Sequence, residues 1–369
     1  MSTNNYQVYF DCGFSKLRAG AFSKLSSKEA FYTQSKFLFD HTDLNQEIQK
    51  IITFLEKETN EYIDDINLMI DSPKALSISL SVFKKIDGPK LKQDDVQFLI
   101  QEAKQQILKY YNNQKIIHII INNYKIDDAE YDYLPEDIKC DFISLNILFI
   151  CLPQEVIEYY KSFFHKFHIS IKQIACSSYA KAINYKNNFL SHNEVSFIDC
   201  GFNKTSITTY ANNKIISLNI LPIGGNHITK DISKVLKIDL EQAENLKLNF
   251  GKDKLFLNDK NFPPELLQNV IFARIEEILE MCVKSIELNL TKIDQYKMIL
   301  MGEGSKILDN EYKDKISFAN DIDFLDETME DICQSGFKLG MGVNKQEVKI
   351  VPKKQIKQGF FEKLFHFYK

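Results

Sequence analysis

One six-residue phrase occurs twice in this chain, and its residue types suit phosphate and metal chemistry. Asp11-Cys12-Gly13-Phe14-Ser15-Lys16 returns 188 positions later as Asp199-Cys200-Gly201-Phe202-Asn203-Lys204, identical at five of six positions. Each copy follows an apolar β-type run (Val8 to Phe10; Val195 to Ile198) and precedes another (Leu17 to Phe22; Ile207 to Tyr210). That pattern predicts a strand, a tight turn and a returning strand, with Gly13 and Gly201 where the backbone must turn or let a ligand approach. Two such turns facing one cleft would offer backbone N–H nests to phosphate oxygens and two carboxylates, Asp11 and Asp199, to a water-coated Mg²⁺. The plainer alternative is a pair of hairpins whose Asp side chains cap their turns. A repeat of this length on matching strands favours an internally duplicated fold.

Two further turns have phosphate- or nucleoside-compatible composition. Leu221-Pro222-Ile223-Gly224-Gly225-Asn226 joins a predicted strand to a predicted helix, so Gly224, Gly225 and Asn226 offer either helix-terminal N–H donors for phosphate or a simple connecting turn. Gly302-Glu303-Gly304-Ser305 follows an apolar strand (Lys297 to Met301) and is open enough to admit a purine or ribose.

The elements that must carry these turns are readable from periodicity. Helices are expected after Asp43 as N-cap (Leu44, Ile48, Ile51, Ile52, Leu55), over the run from Val96 to Tyr110, and from Pro153 to Phe167. Others are expected from Glu241 to Phe250, closed by Gly251, from Pro264 to Asn289, and from Glu327 to Gly340. Strands are expected near Phe31 to Phe39, Ile66 to Ile70, Leu76 to Val82, Ile116 to Ile121, Ser144 to Cys151, Ile169 to Ile174 and Lys214 to Ile220. Residues 74–151 read as an α+β insertion.

The totals fit a protein of two domains with insertions: 369 residues, 44% hydrophobic and 26% charged. A net charge of −4 gives no sign of a nucleic-acid partner. Seven Cys form no CxxC pair, as expected of reduced cytosolic thiols, and Cys12 and Cys200 read as small strand-end hydrophobes. The polar N-terminus lacks a signal-peptide core, and no apolar run is long enough to span a bilayer.

Charge is uneven. Residues 345–369 carry seven Lys and two Glu, a net of +5 that leaves −9 on the remainder. Within 356–369, Phe360, Phe361, Leu364, Phe365, Phe367 and Tyr368 fill one arc of a helical wheel, with Lys363 and other polar residues on the opposite arc. This predicts an interfacial helix for anionic lipid, joined by a Lys-rich tether at 343–355. Each buried apolar side chain contributes roughly 1.5–3 kcal/mol and each Lys about 1 kcal/mol, offset by partial burial and helix ordering. The attachment would be reversible and would strengthen when copies act together. A groove on the body or on a partner would suit the same pattern.

The order of the turns resembles the actin/Hsp70/hexokinase ATPase superfamily: phosphate hairpin, connecting segment at Ala175 to Ala180, second hairpin, second connecting segment, glycine turn at the adenosine. Within it the chain is similar to FtsA, the bacterial cell-division family. The resemblance rests on Leu221-Pro222-Ile223-Gly224-Gly225-Asn226-His227-Ile228-Thr229-Lys230-Asp231-Ile232 and on Glu241-Gln242-Ala243-Glu244-Asn245-Leu246-Lys247, which is similar to the family's A-E-x-x-K helix. It implies an α/β, actin-like duplicated ATPase fold around a nucleotide cleft, with an FtsA-type insertion. The implied divisions are 1–73 with 152–194, the polymerising insertion 74–151, 195–225 with 296–342, 226–295, the linker and the terminal helix. It further implies ATP or ADP with Mg²⁺, contact to phosphate or nucleoside from Gly13, Phe14, Ser15, Lys16, Gly201, Phe202, Asn203 and Lys204, and Glu244 and Lys247 near the sugar. Gly302, Glu303 and Ser305 would meet the adenosine.

The implied role is an adaptor that polymerises, binds an FtsZ C-terminal peptide and other divisome proteins, and holds FtsZ filaments to the inner face of the cell membrane at the division site. Arg274, on the long helix, is a candidate partner contact or a surface ion pair. Where the family pattern is D-x-G-G-G-T-x-D, this chain has Phe202, Asn203, Lys204 and Ser206, and Glu303 stands where the adenosine turn has a second Gly. Those departures imply at most a weak ATPase. A sugar-kinase-like phosphotransferase and a pilus-platform actin-like protein are the alternatives in the same superfamily.

Overall fold

Two five-stranded sheets with the same strand plan form the body of the protein. The computed structural model describes residues 4–26, 28–38, 43–86, 90–135, 138–250, 263–290, 296–307 and 322–348. The apolar arc of 356–369 and Gly251 therefore lie outside the described residues.

The first half opens with the meander β1 (Tyr6–Cys12), β2 (Leu17–Ser23) and β3 (Ala30–Gln34), followed by α1 (Leu44–Thr59) and β4 (Asp65–Ile70). The insertion comprises β5 (Leu76–Lys85), α2 (Gln93–Tyr110), β6 (Gln114–Ile126), β7 (Ala129–Tyr131) and β8 (Phe142–Pro153). The chain returns through α3 (Gln154–His165), β9 (Ser170–Cys176) and α4 (Ser177–Lys186). The second half repeats the plan with β10 (Glu194–Cys200), β11 (Thr205–Ala211), β12 (Lys214–Leu221), α5 (Gly225–Leu236), α6 (Leu240–Asn249), α7 (Pro264–Glu287), β13 (Lys297–Met301), β14 (Ile322–Phe324) and α8 (Met329–Gly340).

The sheet orders are β3-β2-β1-β4-β9 and β12-β11-β10-β13-β14. In each, an antiparallel meander is extended by two parallel strands. The repeated phrase marks equivalent positions in these sheets. Asp11 pairs in register with Arg18 and Cys12 with Leu17; Asp199 pairs with Ser206 and Cys200 with Thr205.

Strands covered on both faces lose the alternation of half-exposed strands. Met298 to Met301 in β13 are all buried, as are Val8 to Cys12 in β1. One face of the first sheet packs on α1 and α3 through Phe10, Ile48, Leu55 and Phe164. One face of the second packs on α5 and α7 through Ile198, Ile232, Ile271 and Leu300. Between the sheets lie α4 and α8, whose Tyr179, Ile183, Ile332 and Leu339 share a core with Met69 and Phe197. This middle layer brings α4 to the ends of both β1 and β10.

The insertion has its own antiparallel sheet, β5-β8-β6-β7, and its own core, with Leu99, Ala103 and Ile107 of α2 against Ile119, Ile147 and Phe149. Its strands run longer than the apolar runs alone suggest, because polar residues such as Lys84 and Lys125 continue the β5–β8 and β6–β8 ladders.

Three expectations need correction. Asp43 precedes α1 without capping it: its carboxylate pairs with Lys36 at 2.7 Å. β3 ends at Gln34, short of Phe39, as the chain leaves the ladder and Ser35 N–H and Leu38 N–H bond carbonyls of the first hairpin. The tether expected from residue 343 is held at its start: Ile121 N–H bonds Gln346 O, and Val348 N–H bonds Ile119 O.

Candidate functional site

The tips of β1–β2 and β10–β11 face one another across a cavity of about 690 Å³, lined by Asp11, Gly13, Phe14, Ser15, Gly201, Phe202, Asn203, Lys204, Gly302 and Glu303. That volume lies within the range of small-molecule sites. Asp11 and Asp199, far apart in sequence, both open onto it.

Each carboxylate already has a cation. Asp11 Oδ2 lies 3.2 Å from Arg18 Nη1, across the β1–β2 register, and its Oδ1 accepts from Ser177 Oγ at 2.6 Å. Asp199 Oδ2 lies 2.7 Å from Lys181 Nζ. The same ammonium sits 2.8 Å from Glu327 Oε2, and all three side chains are largely buried. Burial opposes the charge on Lys181, but Asp199 and Glu327 outweigh it and raise its pKa. Burial raises Glu327, with Lys181 opposing and Asp199 adding to the rise.

A second cluster joins the halves at Asp71, which ends the β4 strand region. Its buried carboxylate pairs with Lys204, and it accepts from Ser178 N–H and from Ser178 Oγ at 3.2 Å. Burial would raise Asp71, but Lys204 and then the Cys176 and Ser178 donors hold it below the usual carboxylate range. Lys204, which replaces the threonine of the family pattern, is thus an ion-pair partner across the cleft. Glu303 also crosses it, meeting Lys16 at 3.3 Å and Arg18 at 3.4 Å. Burial would raise Glu303; Lys16, Lys306 and Arg18 hold it down.

The replaced glycine at 202 is aromatic for a visible reason. Phe202 stacks on Phe14 of the opposite hairpin, with centroids 5.9 Å apart and planes at 16°, and meets Phe37 edge-on at 5.4 Å. Lys247 Nζ lies 5.3 Å from the same ring. Such contacts contribute about 0.5–1.5 kcal/mol each beyond burial.

The expected phosphate donors at the start of α5 are spent within the protein. Gly225 N–H bonds Gly201 O at 3.0 Å, and Asn226 N–H bonds Phe202 O at 2.7 Å. Asn226 Nδ2 donates to Asn203 Oδ1 at 2.9 Å. Gly224 is needed here because a Cβ would crowd Gly201 O and Phe202 O. Glu244 and Lys247 of α6 are likewise turned onto α5: Lys247 Nζ bonds Glu244 Oε2 at 2.6 Å, Thr229 Oγ1 at 2.9 Å and Gly225 O at 3.0 Å. Burial lowers Lys247, with Glu244 opposing.

Gly302 has φ +88°, and a Cβ there would collide with Asp199 Oδ1 and Cys200 O. Ser305 Oγ donates back to Gly302 O at 2.8 Å, so the turn is self-bonded and continues as a 3₁₀ turn from Glu303 to Ile307. Arg274 forms ion pairs with Asp231 (2.5 Å) and Glu277 (2.6 Å).

A divalent ion on Asp11 and Asp199 does not fit this donor set. Each carboxylate is neutralised by a side-chain cation, Asp11 by Arg18 and Asp199 by Lys181. Sequence reasoning missed Arg18, Asp71, Ser177, Lys181 and Glu327. Arg18 was accessible, since it sits in hairpin register opposite Asp11; the others come from distant segments.

The family model described as cell division protein FtsA matches residues 196–278. The FtsA of Agrobacterium fabrum is 20% identical over 297 residues, covering 74% of this chain and 66% of that protein. The FtsA of Bacillus subtilis is 37% identical over 101 residues, 23% of each chain. The match thus spans slightly under two thirds of the Agrobacterium protein's length. Among solved structures, a PilM-PilN type IV pilus biogenesis complex superposes with a TM-score of 0.60 at 12% identity, covering 88% of this chain and 89% of that one. The ethanolamine utilization protein EutJ from Carboxydothermus hydrogenoformans gives 0.50 at 12% identity, covering 90% and 89%. No helix among the described residues is long and apolar enough to cross a membrane.

Proposed function

We propose, on the premise that this chain is FtsA-like and its fold actin-like, that it is a cell-division adaptor holding an adenine nucleotide between its two halves. The observation that carries the nucleotide reading is the convergence of the duplicated hairpins on one cavity, with Lys204, 22% exposed, in its lining and Lys16, 24% exposed, paired to the lining Glu303. Anionic phosphates are the ligand class such hairpins and ammonium groups attract.

Hydrolysis is slow or absent in this reading. A general base must reach the attacking water with a free acceptor. Asp11 and Glu303 are engaged by Arg18, Asp71 by Lys204 and Asp199 by Lys181. The nucleotide then acts as a structural clamp.

The adaptor role assigns the remaining parts. Phe360, Phe361, Leu364, Phe365, Phe367 and Tyr368, with Lys363, seat the terminal segment in anionic lipid on the inner face of the membrane at the division site. The 226–295 region receives an FtsZ C-terminal peptide. The 74–151 insertion joins copies into polymers, so weak tail contacts add. Co-sedimentation of the full chain and of a 356–369 deletion with vesicles of anionic phospholipid tests the tail: the full chain should pellet and the deletion should not. Equal pelleting overturns membrane tethering. A second reading, a pilus-platform protein, is favoured by the fold match to the PilM-containing complex. Capture of an FtsZ C-terminal peptide supports the division adaptor, and its failure favours the pilus reading.

A further inference from the structure

We propose that the cleft takes its nucleoside polyphosphate without a divalent cation, the ammonium of Lys181 standing where the ion would be needed. This rests on the nucleotide-binding reading above. Lys181 Nζ lies between Asp199 Oδ2 (2.7 Å) and Glu327 Oε2 (2.8 Å), in side chains 6%, 14% and 2% exposed. Carboxylates from two separate elements therefore coordinate a covalently attached cation from a third.

Arg18 does the same on the other side of the cleft, between Asp11 and Glu303, with its side chain 9% exposed. The fixed charges nearly balance: Lys16, Arg18, Lys181 and Lys204 against Asp11, Asp71, Asp199, Glu303 and Glu327. A divalent ion at Asp199 would have to approach a buried ammonium, where like charges repel far more strongly than in water. It would also have to strip two carboxylates of a partner that keeps its proton. An incoming phosphate faces the opposite situation. Lys16, partly exposed on the first hairpin, can turn to phosphate oxygens and leave the half-exposed Glu303 with Arg18, while Arg18, Lys181 and Lys204 keep Asp11, Asp199 and Asp71 paired.

Calorimetric titration of ADP into the full chain, in MgCl₂ and in EDTA, tests this. The two dissociation constants should agree within about threefold. A loss of about tenfold or more in EDTA overturns the inference while leaving the nucleotide reading intact. Binding in neither buffer overturns both. Lys181→Met, which keeps the apolar stem, should lose about tenfold or more in EDTA and recover with Mg²⁺, because Asp199 and Glu327 are then free to hold an ion. Unchanged affinity of this variant in EDTA overturns the role of Lys181. Should the variant not fold, the wild-type comparison decides alone.

Discussion

Ser177 and Lys181, one turn apart on α4, each hold one of the two repeated aspartates: Ser177 Oγ donates to Asp11 Oδ1 at 2.6 Å, and Lys181 Nζ lies 2.7 Å from Asp199 Oδ2. Side chains four apart share a helix face, so one helix between the sheets reads out the position of both hairpins. The duplicated halves are therefore coupled through α4 as well as through direct ion pairs. Ser177→Ala leaves a buried carboxylate oxygen without its donor and should cost about 1–3 kcal/mol. Urea unfolding measures it; no change in midpoint would show that Asp11 Oδ1 is satisfied otherwise.

Asp71 gives the cleft an acid sensitivity. Its carboxyl is held below the usual range despite burial, chiefly by Lys204. A depressed carboxyl binds fewer protons in the folded than in the unfolded state, so its stabilisation is complete above the unfolded value of about pH 4. It is lost as the pH falls through the lowered folded value. Asp71→Asn should therefore flatten the fall in stability on the acid side of about pH 4. Urea midpoints across that range check this, and an unchanged slope would assign the acid sensitivity to other carboxylates.

Lys204→Met removes the cation instead and leaves Asp71 buried with only the Cys176 and Ser178 donors. Breaking a buried pair from one side costs about 3–5 kcal/mol, and Lys204 is partly exposed, so the low end is expected. The double change Lys204→Met with Asp71→Asn should recover much of the loss. A double variant no more stable than the single one would contradict that coupling.

The parts of the site legible in the sequence are those the chain states locally. The repeated Asp and Gly predict both hairpins, and strand-turn composition predicts the Gly224 and Gly302 turns. What was hidden depends on tertiary partners. Nothing near Lys181 announces that Asp199 and Glu327 will close on it, and Asp71 looks like a turn residue beside Pro73 until β4 ends at the cleft. The donors of Gly225 and Asn226 looked free because the carbonyls that take them belong to the second hairpin, more than twenty residues earlier. Residues 344–348 read as tether because their ladder partner, β6, lies in the insertion.

Gly302 allows no side chain. Its φ of +88° is a left-handed conformation, and a Cβ would meet Asp199 Oδ1 and Cys200 O. Gly302→Ala combines backbone strain of about 1 kcal/mol with a clash against the ion-paired carboxylate. The variant should unfold at lower denaturant and bind ADP more weakly, since the displaced Asp199 draws Lys181 with it. Wild-type stability in this variant would mean that the turn can relax without moving Asp199.

His118 connects the cleft to the C-terminal segment, and its hydrogen bonds define the tautomer. Nε2 accepts from Cys176 N–H at 2.9 Å, so the ring proton lies on Nδ1, which donates to Glu347 Oε1 at 2.6 Å. Glu347 also accepts from Tyr179 OH at 3.3 Å, and Asn344 Nδ2 donates to the same hydroxyl at 2.8 Å. Cys176 immediately precedes Ser177 of α4, so a shift of that helix at the cleft reaches the chain that leads to the terminal apolar arc. Glu347→Ala should free this segment without touching the hairpins. The amides of Ile121 and Val348, bonded to Gln346 O and Ile119 O, should then exchange faster with solvent, while those of β1 and β10 keep their protection. If Ile121 and Val348 stay as protected as in the wild type, the backbone ladder alone holds the segment, and His118 carries no signal between cleft and tail.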